Sequence, residues 1–169
     1  MLTGNQYCAL ISDYLLTNFS VRGIRVYREV NLGKTIIGKN RRIDLLVIDP
    51  KDRAFAIECK YQDVRGTTDE KLPYALGNME SLPIPGCIVY AGQGFSEGVL
   101  HLLQASEIAA YCLPQPISPK PSRETRELDH LLAMRFRWWD VVLSGKKEET
   151  IQGPGQTDLF GQSEERNSP

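Results

Sequence analysis

Three charged residues stand inside two otherwise apolar segments, residues 43–48 and 54–61, which flank the sequence Asp-Pro-Lys-Asp-Arg. The linking sequence is a strong turn signal, so the two segments are predicted to pair as antiparallel strands. With the turn at the centre, Asp44 lies opposite Glu58, and directly opposed Cβ atoms are about 4.5 to 5.5 Å apart. Strand alternation then places Lys60 on the same face as Glu58. Two carboxylates and an ammonium group are therefore expected to converge at one end of the hairpin.

Charges at the rim of a buried sheet cost free energy unless something offsets them. A divalent cation is the simplest offset, and Mg²⁺ (or Mn²⁺) suits one or two carboxylates together with a carbonyl and several waters. Such an ion would hold a phosphate oxygen and activate a bound water, and Lys60 would orient that water. This chemistry is phosphodiester hydrolysis. Geometry alone leaves an alternative open, in which Asp44, Glu58 and Lys60 form a buried ion cluster that only fixes the strand register.

The elements that must position these residues follow α/β order. The hydrophobic periodicity and turn signals predict a helix, three strands, a helix, a strand, a helix and a final strand. The first helix is expected over residues 5–18 with Thr3 or Asn5 as its cap, and Ser96 is expected to cap the helix before the last strand. Because the central hairpin is apolar on both faces, we expect a mixed central sheet flanked by helices.

The rest of the chain divides by composition. Residues 114–122 hold four prolines and are expected to form an extended connector. Residues 123–145 carry a helical apolar stripe that includes Trp138 and Trp139, and this amphipathic helix is expected to dock on the domain or on a partner. As the second possibility, it is the candidate contact surface of a homo-oligomer. Residues 146–169 are polar and are predicted to be a disordered tail.

Composition limits the class of protein. At 169 residues and 41% hydrophobic content, one domain core is expected. No apolar run is long enough to cross a membrane and no secretion signal is evident at the N-terminus, so a cytoplasmic protein is expected. The four cysteines are widely spaced, as reduced core thiols would be. The net charge is −1, yet residues 21–42 contain seven basic residues and one acid.

The spacing of Asp44, a turn and then Glu58-Cys59-Lys60 resembles the core signature of the PD-(D/E)XK nuclease superfamily. The resemblance covers roughly residues 1–113 and implies a restriction-endonuclease-like core of αβββαβ order. It also implies that Asp44 and Glu58 hold the metal with the main-chain carbonyl of Cys59, and that Lys60 serves the attacking water. The superfamily includes restriction endonucleases, junction resolvases, homing endonucleases and repair nucleases.

The sequence departs from the family pattern at two places. Ile43 precedes Asp44 where relatives often have proline. Many relatives also bring a glutamate from the first helix, whereas that helix offers only Gln6 and Asp13 here. A second metal site is therefore not expected.

Several further residues are candidates for nucleic-acid contact. The basic stretch leads directly to Asp44, so Arg41 and Arg42 are expected to clamp phosphates beside the cut. Gln62 continues the face of Lys60, and Lys71 and Tyr74 begin the next helix, where relatives place phosphate or metal-water contacts. For each of these residues the alternative is a solvated face or a soluble sheet edge.

The tail carries the sequence Gln-Thr-Asp-Leu-Phe, which resembles the peptide that binds the bacterial sliding clamp. The matching residues are Gln156, Leu159 and Phe160. Two functions are therefore carried forward. The first is a metal-dependent DNA endonuclease of restriction, junction-processing, homing or repair type. The alternative is a catalytically inactive DNA-binding or recombination accessory protein with the same fold, tethered to the clamp.

Overall fold

The computed structural model describes residues 2–64 and 68–150. Within them, α-helices α1 to α5 span Gly4–Phe19, Thr68–Glu80, Glu97–Ala105, Arg126–Phe136 and Trp139–Val142. Strands β1 to β5 span Arg25–Lys34, Asn40–Ile48, Ala54–Tyr61, Gly86–Ala91 and Ala109–Tyr111. Short 3-10 helices cover Ser20–Arg22 and Arg123–Thr125. The predicted order of one helix, three strands, helix, strand, helix and strand is confirmed.

The five strands form one mixed sheet in the order β1-β2-β3-β4-β5. The first three strands are antiparallel, and β3, β4 and β5 run parallel. Leu45 pairs with Ile57 and Leu46 with Ala56, which is the register predicted from a turn at the centre of the hairpin. The ladder stops at Leu45 and Ile57, one residue short of Asp44 and Glu58, so these two residues are not a ladder pair.

Helices cover both faces of the sheet, as the apolar strands require. On one face, α1 and α4 pack on the side chains of Leu45, Ile57 and Cys59. On the other face, α2 and α3 pack on Ile88 and Tyr90. Helix α1 begins with a capping box, because the Thr3 hydroxyl accepts a hydrogen bond from the Gln6 amide and the Gln6 side chain accepts one from the Thr3 amide.

Two local features concern the β1–β2 hairpin and helix α2. Strand β1 continues through Lys34 and β2 already begins at Asn40, so the glycine-containing segment between them is a tight turn at the end of a long hairpin. Pro73 lies inside α2, six residues into the helix, rather than in its first turn. Proline lacks the amide hydrogen that an interior position would donate, and this costs the helix one hydrogen bond.

The segment expected to be one helix over 123–145 is divided in the structure. Arg137 ends α4 in the left-handed conformation, with φ of 62°, and the short helix α5 follows. The apolar stripe of α4 is buried in the chain's own core, with Leu128 and Leu132 at 0% exposure. Trp138 stacks on Phe19 with 5.2 Å between ring centroids. The expected docking of this stripe on the domain is thus confirmed for Leu128, Leu132 and Trp138, whereas Trp139 is 51% exposed and the homo-oligomer contact stays a prediction.

The remaining expectations concern the thiols and the termini. All four cysteines are buried and free. None of the helices in residues 2–64 and 68–150 has the length and apolar character needed to cross a membrane. The clamp-binding peptide predicted at Gln156, Leu159 and Phe160 lies outside the described residues, as does most of the predicted tail.

Candidate active site

Asp44 lies where the regular pairing of β2 and β3 stops. The last ladder pair is Leu45 with Ile57. Beyond it, the backbone amide of Cys59 donates a hydrogen bond of 2.8 Å to Oδ2 of Asp44. A side-chain carboxylate thus takes the place of a strand carbonyl, and the two strands separate at this point.

The neighbouring strand explains why Asp44 turns into this gap. Glu29 of β1 stands opposite Asp44, between the pairs Arg28 with Leu45 and Val30 with Ile43, and has a φ of 55°. A positive φ is rare for a non-glycine residue and interrupts the alternation of the strand. As a result, Ile43 packs beside Met79 on the α2 face while Leu45 packs on the α1 face.

Glu58 and Lys60 project from β3 toward α2 and are in direct contact. The Lys60 Nζ donates a hydrogen bond of 2.7 Å to Oε1 of Glu58, and both side chains are 23% exposed. Burial raises the pKa of Glu58, and the negative charge of Asp44 raises it further, while the Lys60 ammonium lowers it without cancelling the rise. The carboxylate of Glu58 is thus short of compensating positive charge.

These side chains open into a cavity of about 440 Å³ between the sheet and α2. Its walls come from the β1–β2 hairpin, β3 and α2. The lining residues are Thr35, Asn40, Arg41, Arg42, Ile43, Glu58, Lys60, Lys71, Tyr74, Ala75, Asn78, Met79 and Leu82. We call this cavity the groove. It brings together Glu58, Lys60, Arg41, Arg42, Lys71 and Tyr74, all of which the sequence singled out.

The two arginines occupy different environments in the groove. Arg41 is only 6% exposed, donates a hydrogen bond of 2.7 Å to the Ser81 hydroxyl, and has a buried Nε without a hydrogen-bond partner. Arg42 is 64% exposed and lies 3.9 Å from the Glu29 carboxylate. The predicted phosphate clamp therefore consists of a buried guanidinium, that of Arg41, and an exposed one, that of Arg42, on the same wall of the groove.

The electrostatics of Tyr74 report the positive charge of the groove. Hydrogen bonds from Asn78 and Thr35 lower the pKa of Tyr74, and the charges of Lys39 and Arg41 lower it further. Thr35 and Asn78 were not singled out from the sequence. Their contacts with Tyr74 depend on the packing of the hairpin against α2, which no local sequence pattern predicts.

Gln62 does not line the groove. Its side chain is 5% exposed, and its Nε2 donates hydrogen bonds to the Asp69 carboxylate at 3.1 Å and to the Gly94 carbonyl at 2.7 Å. Gln62 thus ties β3 to the start of α2 and to the loop after β4. The nucleic-acid contact expected of Gln62 does not fit this burial.

The donor set at the strand fork suits a divalent cation with few protein ligands. The Cys59 side chain lies in the core, so only its main chain is available to the site. In residues 2–64 and 68–150 no cluster of three or more His, Cys, Asp or Glu side chains is placed to hold a metal ion. Two carboxylates, one of them partly buried, fit Mg²⁺, which keeps several waters when bound. Gln6 of α1 is an amide engaged in the helix cap, and Asp13, the only acid of α1, is exposed.

A mixed sheet between helices, with an acidic pair and a lysine where β2 and β3 part, defines a nuclease-type α/β domain. A family model described as the PD-(D/E)XK nuclease superfamily domain matches residues 3–139. The chain belongs to this superfamily. The matched region extends past the Pro-rich connector and includes α4.

Similar solved structures are distant in sequence. A repair endonuclease from Pyrococcus abyssi is 16% identical, with 66% of this chain and 47% of that chain covered and a TM-score of 0.37. A VRR_NUC domain is 21% identical, with 57% and 94% covered and a TM-score of 0.32. EndoMS, in a complex with dsDNA, is 16% identical, with 72% and 48% covered and a TM-score of 0.33. This chain thus spans about half the length of the first and third of these. A comparison with curated proteins gave no match.

Proposed function

We propose that this protein is a metal-dependent nuclease that cleaves phosphodiester bonds inside DNA strands. The observation that carries the proposal is the Lys60–Glu58 contact of 2.7 Å at the fork of β2 and β3, opening into a basic groove. Membership of a nuclease superfamily agrees with it. A structural ion cluster would be better served by a closed site, whereas this one faces a cavity.

In the proposed mechanism, Asp44, Glu58 and the Cys59 carbonyl would hold the cation. When bound, the cation supplies Lewis-acid activation of the phosphate and of a water. The Lys60 ammonium, which lies 2.7 Å from Glu58 in this structure, would orient the attacking water. The Asp44 carboxylate keeps its second oxygen for this role while the first holds the Cys59 amide.

The groove supplies partners for a polyanion. The buried Nε of Arg41 has no hydrogen-bond partner, and an unpaired buried donor gains when an acceptor such as a phosphate oxygen arrives. Arg42 and Lys71 line the same cavity. These contacts support nucleic acid as the substrate and DNA as the first choice. The cytoplasmic location, the self-assembly and the clamp peptide at Gln156, Leu159 and Phe160, all expected from the sequence, belong to the same proposal.

Incubation of the full chain with supercoiled, branched and single-stranded DNA, with Mg²⁺ or Mn²⁺, tests the proposal. We expect Glu58→Gln and Lys60→Ala each to lower the cleavage rate by roughly 10²- to 10⁴-fold. Matched controls are Glu107→Gln and Lys51→Ala, which alter an exposed glutamate and an exposed lysine away from the groove and should cleave as the unsubstituted protein does. Cleavage that survives both site substitutions, or needs no divalent cation, would contradict the proposal.

One observation favours the accessory function as a second candidate. Helix α1 brings no glutamate to the fork, because it contains none and its single acid, Asp13, is exposed. An accessory protein would bind the same DNA without cutting it. Binding of every substrate by the unsubstituted chain, with no cleavage at any divalent cation concentration, is the result that would select this function.

A further inference from the structure

The β1–β2 hairpin ends in a tightly bonded turn at residues 35–39. The Gly38 amide donates to the Thr35 carbonyl at 2.9 Å, and the Thr35 amide donates to the Lys39 carbonyl at 2.7 Å. Gly38 has a φ of 78°, which suits glycine at this position. The turn is therefore a defined structural element rather than a loose loop.

The two corner positions of this turn are both isoleucine, Ile36 and Ile37. Turn corners favour proline, glycine, asparagine, aspartate and serine, and β-branched apolar residues are unusual there. Ile36 is 55% exposed and Ile37 is 60% exposed. The Ile36 side chain reaches Gly77 of α2 at one end, but more than half of each isoleucine is exposed and neither belongs to the core, so the pair offers apolar surface for a partner.

The turn is placed at the rim of the groove. Thr35 lines the same cavity as Glu58 and Lys60. The Ile36 amide donates a hydrogen bond of 3.1 Å to Oδ1 of Asn78 on α2, which fixes the turn against the helix. The proposed catalytic side chains and the isoleucine tip thus lie on one surface. The hydrogen bond to Asn78 fixes the position of the tip relative to α2.

The charges beside the tip indicate the chemistry of its partner. Lys34, at the end of β1, and Lys39, at the end of the turn, flank the isoleucines and are exposed. Arg42 follows on β2 and is 64% exposed. An apolar tip between cations fits a partner whose outside is anionic and whose inside is apolar and stacked. Duplex DNA has this structure, because phosphates line the grooves and base steps lie between them.

We propose that Ile36 and Ile37 form a wedge that enters duplex DNA and partly unstacks a base step next to the cleavage site. The inference rests on the proposed function and names its substrate class as duplex DNA that bends or opens easily. Apolar side chains, including isoleucine, are inserted between base steps by minor-groove proteins, with lysine or arginine at the flanking phosphates. The turn is held by Asn78, so it meets the duplex as a pre-formed element.

A wedge makes a prediction about substrate preference. Unstacking costs less at a mismatch and at flexible pyrimidine–purine steps than in a stiff A-tract. The full chain should therefore bind a duplex with a central mismatch or TA step more tightly than an A-tract duplex of equal length, by roughly tenfold. Replacement of both isoleucines should remove most of this preference.

The direct test is fluorescence of 2-aminopurine placed singly at successive positions of a short duplex, read in EDTA so that no cleavage occurs. Stacking quenches this base, so the wedge should raise its emission at one or two positions when the full chain binds. Ile36→Ser/Ile37→Ser should abolish the rise at saturating protein. Ile117→Ser is the matched control, because Ile117 is 100% exposed on the connector and away from the hairpin, and it should retain the rise.

Asn78→Ala is a second variant that leaves both isoleucines in place. It frees the turn from α2 and should lower the emission rise without removing apolar surface. Binding is measured on the same EDTA samples, and cleavage on parallel samples with Mg²⁺. Cleavage or binding by the unsubstituted chain without a rise at any position would overturn the wedge alone, whereas absence of both binding and cleavage would overturn the proposed function with it.

A second copy of this chain is the competing partner for the isoleucine tip. Light scattering of the double serine variant distinguishes the two. If the substitutions convert a dimer to a monomer and leave the emission rise of the bound duplex unchanged, the tip is a protein contact and the wedge is wrong. An unchanged oligomeric state together with loss of the rise supports the wedge.

Discussion

At the scale of single residues, Asp44 has two separable duties. Its Oδ2 accepts the Cys59 amide and so replaces a bond of the β2–β3 ladder, while its charge contributes to the proposed cation site. An asparagine at this position keeps a carbonyl acceptor for the amide and removes the charge. An alanine removes both.

We therefore expect Asp44→Asn and Asp44→Ala to abolish cleavage alike but to differ in stability. The alanine variant leaves the Cys59 amide without its acceptor, and an unmet buried hydrogen-bonding group costs about 1 to 3 kcal/mol. Denaturant unfolding of the two variants checks this, with the asparagine variant expected near the unsubstituted protein. Equal stability of the two variants would show that water replaces the carboxylate at the fork.

At the scale of elements, Asp49 holds the turn of the β2–β3 hairpin. Its Oδ1 accepts the amides of Lys51 and Arg53, and its Oδ2 accepts two bonds from the Arg53 guanidinium. Arg53 also donates to the Phe136 carbonyl at 2.7 Å and so connects the hairpin to α4. Burial acts to raise the pKa of Asp49, but the Arg53 side chain and the backbone amides outweigh it and hold that pKa below its ordinary value.

The lowered pKa of Asp49 predicts how stability depends on pH. Because the folded protein holds the ionised form, this stabilisation is present above the unfolded pKa of about 3.9 and is lost as pH falls through the folded value. Asp49→Asn removes the charge-assisted bonds and should cost about 1.5 to 3 kcal/mol at pH 7. Urea unfolding from pH 7 down to pH 3 should show the two proteins converging below about pH 4. A stability gap that stays constant with pH would mean that the Asp49–Arg53 pair contributes nothing as a charge pair.

Helix α4 belongs to the same folding unit as the sheet, although a Pro-rich connector precedes it. Its Leu132 is fully buried, and Phe136 meets Phe55 of β3 with ring centroids 6.4 Å apart. Leu132→Ala should cost about 2 to 5 kcal/mol, as other leucine truncations in packed cores do. The comparable substitution of Leu143, which is 57% exposed, should leave the unfolding midpoint nearly unchanged.

The same packing predicts the outcome of truncation at the expected domain boundary. A chain that ends at residue 113 exposes the face of the sheet that α4 covers, so it should lack a cooperative thermal transition. A chain that ends at residue 145 should retain one. Cooperative unfolding of the shorter chain would establish residues 1–113 as an independent domain.

The sequence predicts what depends on neighbouring residues. The alternation in β2 and β3 and the turn between them were enough for the register, and Ser96 and Thr3, the latter as one of two candidates, were recognisable helix caps. The burial of Arg41, the positive φ of Glu29 and the position of the 35–39 turn over α2 depend on contacts between distant segments. The local sequence pattern does not predict those contacts. The same holds for α4, whose apolar stripe is equally suited to a partner or to its own sheet.

At the scale of the whole molecule, charge is separated although the net charge is only −1. Between residues 21 and 42, seven basic residues accompany a single acid, Glu29. Arg41, Arg42 and Lys71 line the groove, and Lys34 and Lys39 are exposed on the hairpin beside it. This separation lets an overall acidic protein bind a polyanion over one surface.

The separation predicts how binding depends on salt. Each phosphate neutralised by a lysine or arginine adds about −0.9 to the slope of log affinity against log salt concentration for duplex DNA. Lys34→Ala and Lys39→Ala, on the two sides of the wedge, should each reduce the magnitude of the slope by about 0.9. Fluorescence anisotropy of a labelled duplex over a range of salt concentrations measures this.

Lys120→Ala is the matched control for the salt experiment, because Lys120 is exposed within the Pro-rich connector and should not contact the duplex. Its slope should equal that of the unsubstituted chain. The lysine variants should retain the 2-aminopurine rise at saturating protein, because they lose phosphate contacts and keep the apolar tip. If Lys120→Ala lowers the slope as much as Lys34→Ala does, the duplex lies over the connector instead of the hairpin, and the surface of the molecule that faces DNA has to be reassigned.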